Sequence, residues 1–252
     1  MGAKTALLAF TDGDLRPAMR GAVQADPVEV LELVREFHPD YEVTPIGDGS
    51  LDDHCFPEDD VTYATVLAGA ELFCDQRLVG LPSELPERLL RAGAGRRILM
   101  HAMHSMSDAL TFAVWEDGEL VRSLSVSPDS GVVENIGQPY EFELPYWAGE
   151  HPVETTFPGQ GAYPLDFHPL VLGEEALRAF FGFNLEGWRE PDDVDPVEVP
   201  LHGFRVADPT GREQAEREAR MEELLRRMRP PRRYSMNPDG SLREIGDATA
   251  MP

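Results

Sequence analysis

Three aspartates and two histidines are the residues of this 252-residue chain whose types and spacing could do chemistry. Asp12 and Asp14 follow an apolar run, KTALLAF at 4–10, and Asp48 sits in Gly47-Asp48-Gly49 after a second strand-like run. If those two strands are parallel neighbours, all three carboxylates gather at one carboxyl edge, where α/β sheets place their ligands. Hard oxygens grouped in that way could hold Mg²⁺ or Ca²⁺ and assist a hydrolysis. Asp beside Gly also makes ordinary turns by capping its own backbone, which is the commoner use of such residues.

Closer patterns for this chemistry fail at named positions. Haloacid-type phosphatases carry Asp-x-Asp after strand one and then Thr or Val, where this chain has Arg16. Their distal lysine has no counterpart, because Lys4 is the only lysine. A calcium loop starting at Asp48 would need Gly at its sixth position and Glu at its twelfth, and it finds Asp53 and Asp59. His101 and His104 lie three apart: a helix would put them on one face for zinc, whereas a strand points them to opposite faces. A strand is the reading adopted, and a zinc site would still need a third ligand such as His54 or Cys55. His38 at a helix end, where a cation suits the dipole, and His151, His168 and His202 in loops are read as structural. No Gly-x-Ser-x-Gly, phosphate loop or dinucleotide fingerprint is present.

The elements that must position these residues are legible from periodicity. Lys4–Phe10 and Tyr41–Ile46 read as strands flanking a helix announced by Asp26, Pro27 and Glu29, which suggests a β-α-β unit with parallel strands. Thr62–Gly69 and Leu72–Cys74 read as further strands, and Pro82–Arg91 as a helix. Arg97–His104, Ala109–Trp115 and Glu119–Val126 form an expected antiparallel meander, with Asp117-Gly118 as a hairpin turn. Residues 128–169, rich in Pro, Gly and aromatics, read as a long ordered loop, and 173–181 as a short helix. The fold class is therefore α+β, with one domain over 1–205. An amphipathic helix follows over 206–230, with Met221, Leu224, Leu225 and Met228 on one stripe. A tail over 231–252 is expected to be disordered.

Composition narrows the setting. The net charge is -24, yet residues 205–233 carry nine Arg against six acidic residues, a local +3 that leaves -27 on the remainder. Acidity of that size opposes nucleic acid and anionic membrane. No apolar run reaches the ~18–20 residues of a membrane span. The two cysteines are expected to be free thiols, and the chain to be cytoplasmic.

The segments GAKTALLAFTDGD (2–14), VTPIGDG (43–49), MHSMSDALTFAVWEDGELVRSLSVSPDSGVVENIG (103–137), PYWAGEHPV (145–153) and YPLDFHPLVLGEEALRAFFGF (163–183) carry a resemblance. Over about residues 2–205 the chain resembles an uncharacterised actinobacterial (Streptomyces-type) protein family of unknown function, with Phe-Ala-Val-Trp-Glu-Asp-Gly at 112–118 as its most specific block. The resemblance implies an actinobacterial, cytoplasmic protein and carries over no activity, ligand or catalytic residue. Ser107-Asp108-Ala109 stands where a more aromatic triplet is expected, which argues against an aromatic platform there.

Missing catalytic motifs make a non-catalytic binding or regulatory protein the leading expectation, with no cofactor. The alternatives are a divalent-metal hydrolase using Asp12, Asp14 and Asp48, with help from His101 or His104, and a structural or assembly subunit. In the last, the C-terminal helix recruits a protein partner or a second copy.

Overall fold

Strand β1 (Lys4–Thr11) sends successive side chains to opposite sides, as a pleated strand must. Leu7 and Ala9 enter one apolar cluster; Leu8 and Phe10 enter a second. A strand buried on both faces reads as an unbroken apolar run and belongs in the middle of a sheet. The computed structural model describes residues 2–154, 163–227, 232–236 and 242–247. The chain divides into two units, Met1–Ala207 and Asp208–Pro252.

In the first unit β1 is followed by α1 (Leu15–Arg20), α2 (Pro27–Phe37), β2 (Glu42–Ser50), α3 (Leu51–His54), β3 (Val61–Leu67) and β4 (Ala70–Cys74). Next come α4 (Glu87–Ala92), β5 (Arg97–His104), β6 (Ala109–Glu116), β7 (Glu119–Ser127) and β8 (Gly131–Ile136). The unit closes with α5 (Leu144–Trp147), α6 (Pro169–Phe181) and β9 (Pro200–Ala207). Among the described residues nine strands form one sheet in the order β2-β9-β3-β4-β1-β5-β6-β7-β8, and each neighbouring pair is antiparallel. One face is covered by α1, α3 and α6, through Leu15, Leu51, Leu172 and Phe181. The other is covered by α2 and α4, through Val30, Val34 and Leu89.

This arrangement corrects the expected β-α-β unit. β1 pairs with β4 and β5, and β2 lies at the far edge beside β9, so the two strands are not neighbours. Continuous apolar runs report burial on two faces, which parallel sheets commonly have; here helices cover both faces of an antiparallel sheet. Local signals fare better. Asp26 accepts from the Val28 N–H at 2.8 Å with Pro27 in the first turn of α2. Asp117 and Gly118 both take positive φ, 51° and 81°, as a primed hairpin turn requires. The meander runs β5-β6-β7 and continues into β8. The loop expected over 128–169 thus contains β8 and α5, and its residues 155–162 lie outside the described ones. The helix expected over 173–181 starts at Pro169, because the His168 ring nitrogen caps it by accepting from the Leu170 N–H at 3.3 Å.

A buried ion pair fastens the β7–β8 edge to the chain that follows. Arg122, 1% exposed, donates through Nε to Glu143 Oε1 at 2.9 Å and through Nη2 to the other carboxylate oxygen. Its Nη1 reaches Asn135 Oδ1 at 2.7 Å and the Ile136 carbonyl at 2.8 Å. Glu143 also accepts from the Tyr140 N–H at 2.8 Å. Both charges are thus saturated, which is the condition for tolerating them in an apolar interior.

The second unit contains α7 (Arg212–Arg227) and the strands β10 (Arg232–Met236) and β11 (Leu242–Asp247). Asp208 accepts from the N–H groups of Thr210 and Glu213 at 2.8 and 3.0 Å, closing the turn ahead of α7. β10 and β11 pair antiparallel, so the tail expected to be disordered holds a two-stranded hairpin within its described residues. Among the described residues no helix is long and apolar enough to cross a membrane.

Removing one partner of the Arg122–Glu143 pair leaves a buried charge without compensation. Arg122→Met alone should cost about 3–5 kcal/mol in urea unfolding. Combining it with Glu143→Leu should recover most of that loss, because two apolar side chains leave no orphan charge.

Candidate functional site

The three aspartates are not brought together. Asp12 Oδ1 accepts from Arg96 Nε at 2.9 Å, and the same guanidinium also holds Glu71 and the Phe10 carbonyl. Asp14 caps α1 through the Arg16 N–H at 3.1 Å. Asp48 meets His202 across β2 and β9, with Oδ1 2.7 Å from Nδ1. Four strand spacings separate β1 from β2, or roughly 19 Å along the sheet. A shared ion needs ligands within ~2.6 Å of it, so Asp12 and Asp48 cannot both serve one. Among the described residues no three His, Cys, Asp or Glu side chains converge as metal ligands.

The histidine pair divides as strand geometry requires. His101 points toward α6, fully buried, with Nδ1 2.7 Å from the Thr5 hydroxyl and Nε2 2.9 Å from the Gly173 carbonyl. A carbonyl only accepts, so Nε2 carries the proton and Nδ1 accepts from Thr5. Burial pushes the imidazole down to about 4 from its ordinary 6.5, with the Gly173 bond opposing, so the ring is neutral near pH 7. His104 leaves the strand on the other side, edge-on to Phe56 at 5.6 Å. His54, the suggested third ligand, stacks on Tyr63 at 3.7 Å. Cys55 and Cys74 are free and buried, and burial pushes the Cys55 thiol up to about 12, which makes it unreactive.

Sequence reasoning missed a His–Asp–Thr cluster. Asp75, fully buried, lies 2.9 Å from His38 Nε2, accepts from the Thr62 hydroxyl and takes the Arg77 N–H at 2.6 Å. Burial alone would raise this carboxyl; the His38 hydrogen bond and the Arg77 charge outweigh it and hold Asp75 below its ordinary value. The residue types resemble a nucleophile set, but Thr62 donates to the carboxylate and all three side chains are closed to solvent. The cluster ties the end of α2 to β3 and to the residue after β4. His38 therefore acts as a buried partner of Asp75, beyond its helix-end role.

The open concavity lies on the outer side of α6. Leu172, Ala176, Leu177 and Phe180 face the core, so Val171, Glu174, Glu175 and Arg178 fall at i, i+3, i+4 and i+7 on the opposite stripe. Gly182 ends the helix at φ 79°, a left-handed cap that turns the chain back across that stripe. Residues 183–190 are then stapled down. Glu174 accepts from the N–H groups of Leu185 and Glu186 at 2.8 and 3.2 Å, and Arg178 donates to the Trp188 carbonyl at 2.6 Å. Asn184 Nδ2 donates to the carbonyls of Glu186 and Trp188 at 2.9 and 3.2 Å.

What remains is a cavity of about 510 Å³, walled by the α6 stripe, Asn184, Glu186, Trp188 and Glu190. The Trp188 indole stands 82% exposed at its rim. Asn184 is 4% exposed, yet its Oδ1 has no hydrogen-bond partner among the described residues. Glu186 also lines a second cavity of about 580 Å³ that runs past Lys4, Phe56 and Met106. Burial raises the Glu174 carboxyl above its ordinary value against the two N–H bonds it accepts. The sequence carried two faint signals of this place: a tryptophan in a polar stretch and a charged stripe on an otherwise apolar helix.

The lowered His101 value sets a pH dependence. The unfolded chain binds a proton near pH 6.5 that the folded chain refuses until about pH 4. Stability from this site is therefore full above 6.5 and falls as pH drops through that window, by up to roughly 1.4 kcal/mol per pH unit. Urea midpoints measured from pH 7 to 4 should show that slope. His101→Gln, which keeps a donor toward Gly173 and does not titrate, should flatten it.

No curated protein and no solved structure matches the chain. One family model does, over residues 5–204, which runs from within β1 to within β9 and takes in the cavity and both buried clusters. On that match the chain belongs to the family of unknown function DUF6928.

Proposed function

We propose that this protein is a non-catalytic, cytoplasmic binding protein that receives a small ligand in the cavity between the outer stripe of α6 and residues 183–190. The observation that carries the reading is a cavity lined by the exposed Trp188 and by Asn184, a buried residue whose Oδ1 has no hydrogen-bond partner among the described residues. Cavities of roughly 300–1,000 Å³ with an aromatic wall and a few fixed polar groups are the usual form of small-molecule sites. The titratable groups that would otherwise suggest catalysis serve the fold: His101 anchors α6 to β5, Asp75 and His38 tie α2 to the sheet, and Asp12 is held by Arg96. A hydrolase built on Asp12, Asp14 and Asp48 loses its support, since those carboxylates have separate partners.

Trp188 is the reporter. Of the three tryptophans, Trp115 is buried in the sheet and Trp147 is half-buried against Phe167, so Trp188 carries the most exposed indole, and the Trp188→Ala variant separates its emission from that of Trp147. A fragment library screened by ligand-observed NMR should give hits that shift this emission. Trp188→Ala should abolish them while changing unfolding free energy by no more than ~0.5 kcal/mol, as an exposed side chain predicts. Hits that persist in Trp188→Ala, or no hits at all, would remove the cavity as the binding site.

A further inference from the structure

We infer that the ligand of this cavity is an organic cation, a protonated amine carried on an aromatic or apolar body. This rests on the binding reading above and specifies its chemistry. Glu174, Glu175, Glu186, Glu190 and Arg178 line the wall; the Glu174 carboxylate accepts from two backbone N–H groups, and Glu186 Oε1 accepts from the Ala3 N–H at 3.1 Å. Arg178 is held in ion pairs, with Nε 3.3 Å from Asp193 and Nη1 3.6 Å from Glu175, and its Nη2 donates to the Trp188 carbonyl; its buried Nε makes no hydrogen bond among the described residues. The lining is formally negative, four carboxylates against one guanidinium, and an anionic ligand would meet that excess.

Hydrogen-bond capacity points the same way. Asn184 spends both of its Nδ2 hydrogens on the carbonyls of Glu186 and Trp188, which fixes the amide orientation and leaves its Oδ1 without a partner among the described residues. That oxygen accepts and cannot donate, so it is satisfied by a donor. An ammonium offers three donors and no acceptor. Trp188 supplies the ring face on which a cation or an aromatic body gains roughly 0.5–2 kcal/mol. The apolar part of the wall, Leu170 and Val171, suits a body with little polarity.

Three probes of one shape isolate the charge: tryptamine (cationic), tryptophol (neutral) and indole-3-propionate (anionic), each an indole on a two-carbon arm. In calorimetric titrations of the full chain, tryptamine should bind at least tenfold more tightly than tryptophol, and indole-3-propionate should not bind. Tryptamine affinity should fall about tenfold in Glu190→Gln and should weaken as salt is raised. Equal or tighter binding of tryptophol or indole-3-propionate overturns the cationic class. So does failure of tryptamine together with Trp188-dependent fragment hits that are not amines, in which case the cavity itself stands. Absence of any Trp188-dependent hit is the separate failure of the cavity. Trp188→Phe should keep most tryptamine affinity and Trp188→Ala should lose it, which separates ring stacking from a folding defect.

Discussion

Burial of the sheet on both faces is the constraint on which the rest of this structure depends. β1 and its neighbours put apolar side chains into two separate clusters, and each cluster needs a helical cover. That requirement explains why the buried charges of Asp75 and Glu143 each meet several donors. A carboxylate such as Asp75 or Glu143 has no solvent on either side, and only a full set of donors makes its charge tolerable. It also explains why His101 is neutral and bonded at both nitrogens, since an imidazole in that layer must meet fixed partners.

The same constraint decides where a ligand can go. The middle strands are covered on both faces, while the edge strands β2 and β8 stay largely exposed. The outward stripe of α6 and the segment folded back by Gly182 make a concavity outside that cover. Its geometry is rigid because Glu174, Arg178 and Asn184 spend their hydrogen bonds on the backbone of 184–188. Trp188 is thus held by its carbonyl while its side chain stays exposed.

What could be read from the residues follows the range of each signal. Asp26-Pro27 and Asp117-Gly118 act within a few positions, and the structure realises both where they stand. Apolar runs marked β1, β5 and β6 as strands, and the structure has strands there, but such a run does not state which strand lies beside it. The parallel pairing of β1 and β2, and the aspartate cluster built on it, failed at that step. The cavity was out of reach for a related reason. Glu174, Asn184 and Trp188 come together only through the turn at Gly182, and none of them belongs to a spaced motif.

The position of β9 has a consequence for the order in which the chain is made. This strand, at Pro200–Ala207, inserts between β2 and β3, whose residues leave the ribosome some 150 positions earlier. At ~5–20 residues per second that is a wait on the order of ten seconds, during which the β3 edge has no partner from its own chain. Unpaired edges of this kind are where nascent chains associate wrongly. β3 is flanked by Asp59, Asp60 and Glu71, while β2 carries Pro45 and a bulge beside it, features that discourage foreign strands until β9 arrives. Synthesis, in this protein, ends the sheet by filling a gap in its interior.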